Sequence, residues 1–247
     1  MNSFKGSQRC VLELLREPSF LVEINNLIKS TDANVDISDK WKPINLTYYK
    51  EAELRDFLSS QFNQKIGYDI ANWWLAVKSS NSRTPNWDLI STCTINNQKG
   101  ILLVEAKAHV KELEDESKGK SLAKDASENS KLNHTKIEEA ISIANDGINE
   151  SGFVVSISRD NCYQLSNRIA HSWWLANQGI PVVLLYLGFL NVKDMNDGKY
   201  KIFKTDTDWQ TCFLNHAKQV GVDTLLNQKV ECGQGSFITI CKSILEK

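Results

Sequence analysis

An α/β fold, with a mixed β-sheet flanked by helices, is predicted from three observations. Two apolar, β-branched runs at residues 88–95 and 101–110 are separated by turn-forming residues at 96–100. Ile137, Ala140, Ile141, Ala144 and Ile148 then recur at helical spacing. Residues 181–190 form an unbroken apolar run of the kind buried on both faces of a sheet. At 247 residues the chain can bury a sizeable core, and a single domain is expected over 1–247. Its core spans about 48–190, with an N-terminal helical segment over 1–47 and a C-terminal helix-and-strand extension over 191–247.

Residues 8–16 and 19–29 read as two short helices interrupted at Pro18. Ser19 is placed to cap the second, and Leu21, Ile24, Leu27 and Ile28 form its apolar stripe. The polar stretch 31–45 reads as loop. A helix is predicted over 48–64, with Leu54, Phe57, Leu58 and Phe62 on one face. Residues 66–77 are mixed, rich in tryptophan, and carry no assignable period.

The hairpin that follows has two open registers. A turn centred on Asn96-Asn97, both tolerant of left-handed backbone, sets Asp88 opposite Glu105. A turn centred on Gln98-Lys99 sets Asp88 opposite His109. Residues 111–136 are charged and nearly devoid of large apolar groups, so they read as a solvated helix or a flap. After the Ile137–Ile148 stripe, residues 153–158 read as a buried strand. Asp160 or Asn161 then caps a helix that runs to Gln178 and stops at Gly179 and Pro181. The tail adds a helix over 207–220, spaced by Trp209, Phe213 and Ala217, and a strand over 237–241.

Twenty-nine Lys and Arg against thirty Asp and Glu leave a net charge of −1. That argues against a polybasic binder whose affinity rests on many phosphate contacts, though not against an enzyme with a local basic cleft. Six scattered cysteines without a C-x-x-C pair argue against a zinc knuckle or disulfide framework and for reduced thiols. With no apolar signal region at Met1 and no run long enough to span a membrane, a soluble cytoplasmic protein is expected.

Glu105-Ala106-Lys107 is the feature that carries chemistry. It ends an apolar run, where burying an acid and a base is costly unless each has a partner or a metal. On a strand, residues two apart share a face about 7 Å from each other, so Glu105 and Lys107 point the same way. Acid-x-Lys also occurs at Glu116-Ser117-Lys118 and Asp197-Gly198-Lys199. Those two lie in a charged stretch and a turn, and both read as surface charge. Only the first follows an apolar strand and a partner strand opened by Pro85-Asn86-Trp87-Asp88.

On these residues, and on a helix–strand–strand–strand–helix–strand order with an extra helix before the third strand, the chain resembles the PD-(D/E)xK nuclease superfamily. The resemblance covers about 51–190 and implies a restriction-endonuclease-like core. It departs from the family pattern in that two residues separate Pro85 from Asp88. The resemblance implies that Asp88 and Glu105 bind magnesium or manganese with the Ala106 carbonyl as a further ligand, and that Lys107 orients or activates the attacking water. Such nucleases add an acid from the helix before the hairpin. Glu51 shares the side of Leu54 and Leu58 and is favoured, while Glu53 lies about 100° round and reads as solvated.

Tyr163-Gln164-x-x-Asn167-Arg168 resembles the glutamine-bearing helix that lines the cleft in exonuclease-like branches. There Gln164 braces the lysine or the metal surroundings, Arg168 holds a phosphate with Asn167 beside it, and His171 shares that face. A polar solvent-facing edge is the alternative. His109, two residues beyond Lys107, is a candidate support for the site or an ordinary histidine. Asn129, Asn133 and His134 belong to a candidate flap, and the pairs Trp73/Trp74 and Trp173/Trp174 read as core more than as base-stacking platforms. The expected function is metal-dependent hydrolysis of DNA, with a homodimer expected where both strands are cut. A catalytically silent nucleic-acid- or protein-binding module on the same fold is the alternative.

Overall fold

The computed structural model describes residues 4–79 and 82–246. Helices α1 (Gly6–Leu14) and α2 (Phe20–Ile28) precede short strands β1 (Ala33–Asn34), β2 (Trp41–Lys42) and β3 (Ala52–Glu53). Helices α3 (Leu54–Gln61) and α4 (Gln64–Trp74) lead to strands β4 (Asn86–Trp87), β5 (Leu89–Ile95) and β6 (Gln98–Lys107). Helices α5 (Val110–Glu116), α6 (Glu128–Glu150) and α7 (Tyr163–Asn177) come next, followed by β7 (Val182–Leu190), α8 (Asp206–Ala217), β8 (Lys229–Cys232) and β9 (Gly235–Leu245).

Asn96 and Asn97 settle the hairpin. Both take positive φ, 48° and 63°, as a two-residue turn that matches the strand twist requires. The ladder therefore pairs Ile95 with Gln98 and Leu89 with Val104. The mixed sheet runs β1–β5–β6–β7–β9–β8, with β2 also along β5. β6, β7 and β9 are parallel, while the β5–β6 and β8–β9 pairs are antiparallel.

Alternation along the strands divides the core in two. Leu102, Val104, Val183 and Leu185 pack with Val11 of α1 and Ile24 of α2. On the opposite face Ile101, Leu103 and Leu184 pack with Ile141 of α6, Ile169 of α7 and Trp209 of α8. Helices α1 and α2 thus cover one face, and the described chain after Leu190 supplies β9 inside the sheet. All six cysteines are free. No helix among the described residues is long and apolar enough to cross a membrane.

Several expectations need correction. The stretch 153–158 is not a strand: β6 is flanked by β5 and β7, and β7 by β6 and β9, so no central position remains. It runs extended instead, tied by Ser156 N–H to the Val220 carbonyl at 2.9 Å and by the Asn149 amide to Val155. The strand–strand–strand succession expected at the centre is therefore absent, and α5 and α6 separate the hairpin from α7. The supposed loop over 31–45 contributes β1 and β2, which cover the outer edge of β5.

Helix α3 starts at Leu54 rather than at 48, because Ala52 and Glu53 pair with Trp87 and Asn86. Leu54 N–H then donates to the Pro85 carbonyl at 3.0 Å. The unassigned 66–77 segment holds most of α4, capped by the Asn63 side chain accepting from Ile66 N–H at 2.9 Å. Ser19 stands at the start of α2 without a side-chain cap. Cys162, in left-handed conformation, precedes α7 in place of Asp160 or Asn161.

Gly188 fixes how α8 docks. It pairs with Lys107 in the sheet, and a Cβ there would lie 2.4 Å from Trp209 Cδ2. We expect Gly188→Ala to lower stability by about 1–3 kcal/mol through overpacking, measured by denaturant unfolding; an unchanged midpoint would refute this account of the packing.

Candidate active site

Just before β5 begins, the chain bends at Asp88, and the pairing of Leu89 with Val104 places Asp88 opposite Glu105. Asp88 Oδ2 accepts the Ala106 N–H at 2.7 Å. A strand residue turns its N–H and C=O to the same edge, so the Ala106 carbonyl also faces Asp88. Glu105 and Lys107 lie on the face covered by α7, both buried.

Glu105 is the hub. Its Oε1 accepts from Lys107 Nζ and from Gln164 Nε2, each at 2.6 Å, and its Oε2 accepts from Arg168 Nε at 2.7 Å. Burial raises the carboxyl pKa, but the Arg168 and Lys107 charges outweigh burial and hold it below the usual range. Lys107 is opposed by burial and favoured by Glu105, Glu116 and Asp88, and its pKa is raised.

Asp88 and Glu51 are treated differently. Burial first, then repulsion by Glu105, pushes the Asp88 carboxyl well above its ordinary value, against the attraction of Lys107. Glu51 is pushed up by the same two causes, and Arg168 opposes the rise. Glu51 therefore lies within electrostatic range of the cluster, although it precedes α3 instead of riding on it. Glu53, expected in solvent, is buried. It accepts from Thr84 N–H at 2.8 Å and Arg55 Nη2 at 3.2 Å, so its work is to hold the chain ahead of β4.

Helix α7 is buried along nearly its whole length and is not a solvent-facing edge. Gln164, expected to brace the lysine or the metal surroundings, donates to Glu105. Arg168, expected to meet a phosphate, has its guanidinium against Glu105 and 4.3 Å from the Trp87 ring. Asn167 is buried, with its Oδ1 unpartnered, and its side chain bonds Tyr163. His171 packs edge-on against Trp73 and Trp74 and donates from Nδ1 to the Asn167 carbonyl. Burial pushes its pKa down to about 3, the signature of a core histidine.

His109 stacks on Tyr200 at 4.3 Å, bridges to Ile202, and has its Nε2 4.0 Å from Glu112 Oε2. The Asn133 amide holds Val77, and His134 bonds the Lys120 carbonyl at 2.8 Å, so both fasten the neighbouring segments. Trp73 stacks on Trp174 within the core.

Glu116 and His216 were missed. Glu116, expected on the surface, is buried, with Oε1 2.8 Å from Lys107 Nζ and Oε2 3.3 Å from His216 Nε2. His216 Nδ1 hydrogen-bonds Ser117 Oγ at 3.1 Å. The signal was available: Val110, Leu113 and Glu116 recur at i, i+3 and i+6, so the acid shares an apolar face. His216 follows Trp209 and Phe213 on α8 in the same way.

The donor set fits a hard divalent cation. Glu105 uses three of about four acceptor sites and Asp88 one. If Asp88, Glu105, Glu51 and Glu116 all ionise, Lys107 and Arg168 leave two negative charges uncompensated. No group of three His, Cys, Asp or Glu side chains forms a ready-made cage among the described residues. Two carboxylates and a carbonyl, completed by water, suit magnesium, which keeps several of its waters. A cleft of about 530 Å³ opens beside Glu51, with Lys42, Lys50, Arg83 and Asn86 in its wall.

Comparison with models of known protein families, with curated proteins and with solved structures finds no match.

Two stability predictions follow from the charges. The folded chain protonates Asp88 more readily than the unfolded chain does. Stability therefore falls as pH rises from the unfolded Asp value through the folded one. In chelator, Asp88→Asn should raise the melting temperature at about pH 8 and do so less at about pH 4, close to the ordinary Asp value. A pH-independent difference would contradict the charge argument. Arg168→Met strips Glu105 of one counter-charge and should cost about 3–5 kcal/mol in chemical unfolding.

Proposed function

We propose that this chain is a metal-dependent nuclease that hydrolyses phosphodiester bonds in DNA. The observation that carries the reading is the convergence of Asp88 and Glu105 beside a buried lysine. Phosphodiesters resist hydrolysis because nucleophile and electrophile are both anionic. Magnesium or manganese held by Asp88, Glu105 and the Ala106 carbonyl would neutralise phosphate charge and lower the pKa of a bound water.

The protein's own groups do the rest. Glu105 is locked by Gln164 and Arg168, so its oxygens stay aimed at one point. Lys107 has a third donor beyond Glu105 and Glu116, and that donor holds the attacking water and stabilises charge on the pentavalent phosphorus. Glu51 stands at the cleft, where an added carboxylate accepts a proton from water or completes the metal surroundings. Lys42, Lys50 and Arg83 in the cleft wall supply phosphate contacts for a polyanionic substrate. Cleavage of both strands of a duplex needs two such sites, which a homodimer provides.

The test is cleavage of duplex and single-stranded DNA by the purified chain. Cutting is expected with Mg²⁺ or Mn²⁺ and not with chelator. Asp88→Ala and Lys107→Ala should each lose on the order of 10²–10³-fold or more in rate, with folding checked by circular dichroism. Variants that cut as fast as the parent would overturn the assignment of roles. Absence of both cleavage and metal binding at millimolar concentration would favour the silent binding module.

A further inference from the structure

The nuclease reading leaves one part of the cluster without a role. Lys107 is not a simple partner of Glu105. Its buried ammonium is stretched between two carboxylates, 2.6 Å from Glu105 Oε1 and 2.8 Å from Glu116 Oε1. The second carboxylate is supplied by α5, which leaves the sheet at Ala108 and His109 and returns its last residue over the strand end. Glu116 Oε2 lies 3.3 Å from His216 Nε2 on α8 without a hydrogen bond between them, and His216 Nδ1 bonds Ser117 Oγ at 3.1 Å. Trp209 and Phe213, wholly buried, lock α8 against the sheet. Nothing in the proposed chemistry requires a second buried acid at this place, and an unsupported one would be expensive.

We propose that Glu116, steadied by His216, is a positioning residue. It is the second anion that shares the Lys107 ammonium with Glu105, so that the lysine keeps a counter-charge when Glu105 takes a cation. This inference rests on the nuclease reading for its purpose but not for its geometry. Without Glu116, Glu105 is the one carboxylate in contact with Lys107 among the described residues, with Asp88 acting at longer range, and a cation taken up by Glu105 would leave the buried ammonium without a contacting anion. With Glu116 in place, the ammonium keeps one anion when the other turns to a metal. It also stays pinned near the water it is to orient, where a displacement of about 1 Å costs on the order of 10²-fold in rate.

The experiment uses the full chain with Glu116→Gln, Glu116→Asp and, as a control for net charge, Glu138→Gln, whose side chain pairs with Arg159 on the surface. Calorimetric titration with Mg²⁺ or Mn²⁺ should give about 10–100-fold weaker binding for Glu116→Gln. Glu116→Asp should retain part of the affinity, and Glu138→Gln all of it. In DNA cleavage, kcat should fall with KM little changed. Equal affinity in parent and folded Glu116→Gln would overturn the proposal.

If the parent binds neither metal and cuts nothing, the nuclease reading fails on its own. A crystal structure of Glu116→Gln then decides the positioning role. Lys107 Nζ displaced from its place between the two side chains supports it, and Nζ unmoved overturns it. Should Glu116→Gln not fold, His216→Asn, which keeps the charge of Glu116 but releases its outer side, takes its place. A smaller weakening of metal binding supports the proposal, and none overturns it.

Discussion

Glu105 is a carboxylate buried in the middle of an α/β sandwich, and it stays ionised because three donors from two different elements close on it. Lys107 comes from the same strand, and Gln164 and Arg168 come from the helix lying across the sheet. A buried charge with one partner removed is strongly destabilising, so these contacts tie α7 to β6 in a single register. The arrangement over Trp87 adds a second constraint, since the Arg168 guanidinium lies against that ring. Helix α7 therefore cannot slide along the sheet without stranding an ion.

From that hub the polar network spreads in two directions with opposite consequences. On one side Lys107 meets Glu116, whose far oxygen lies beside His216. On the other, burial and then repulsion from Glu105 push both Asp88 and Glu51 up. A fold selected for stability alone has no reason to keep unmatched acids at a cleft. Sites that bind and react commonly retain such local costs, which is the physical ground for reading this place as functional.

Much of this was legible in the residues, and the failures have identifiable causes. The hairpin, α6 and β7 follow from period and continuity: Ile137 to Ile148 form the buried stripe of α6, and residues 182–190 are buried on both sides. Glu105, Lys107, Gln164 and Asp88 are where strand and helix geometry put them. Phe153 to Ser158 read as a strand because apolar, β-branched residues say so locally, yet β5, β7 and β9 already fill the central places beside β6 and β7. The helix expected from 48 starts later because Ala52 and Glu53 take backbone partners in β4, a pairing that no local signal announces. Glu116 was misjudged because its charged neighbours outvoted its place on the face of Val110 and Leu113.

By itself, the order of residues determined which segments are strands and helices around the hairpin, and which face of each is apolar. These follow from periods of about 2 and 3.6 residues that any backbone of that type must obey. It also determined that an acid and a lysine share one face at the end of a buried strand. Only the tertiary structure decided the partners. Asn96 and Asn97 permitted one register, but the pairing with Val104 was needed to seat Asp88 opposite Glu105. Helix α7 had to cross the sheet before Arg168 became a counter-ion, and α5 and α8 had to meet before Glu116 and His216 joined Lys107. Charge compensation acts through space over a few ångströms, whereas local sequence patterns reach only a few residues along the chain.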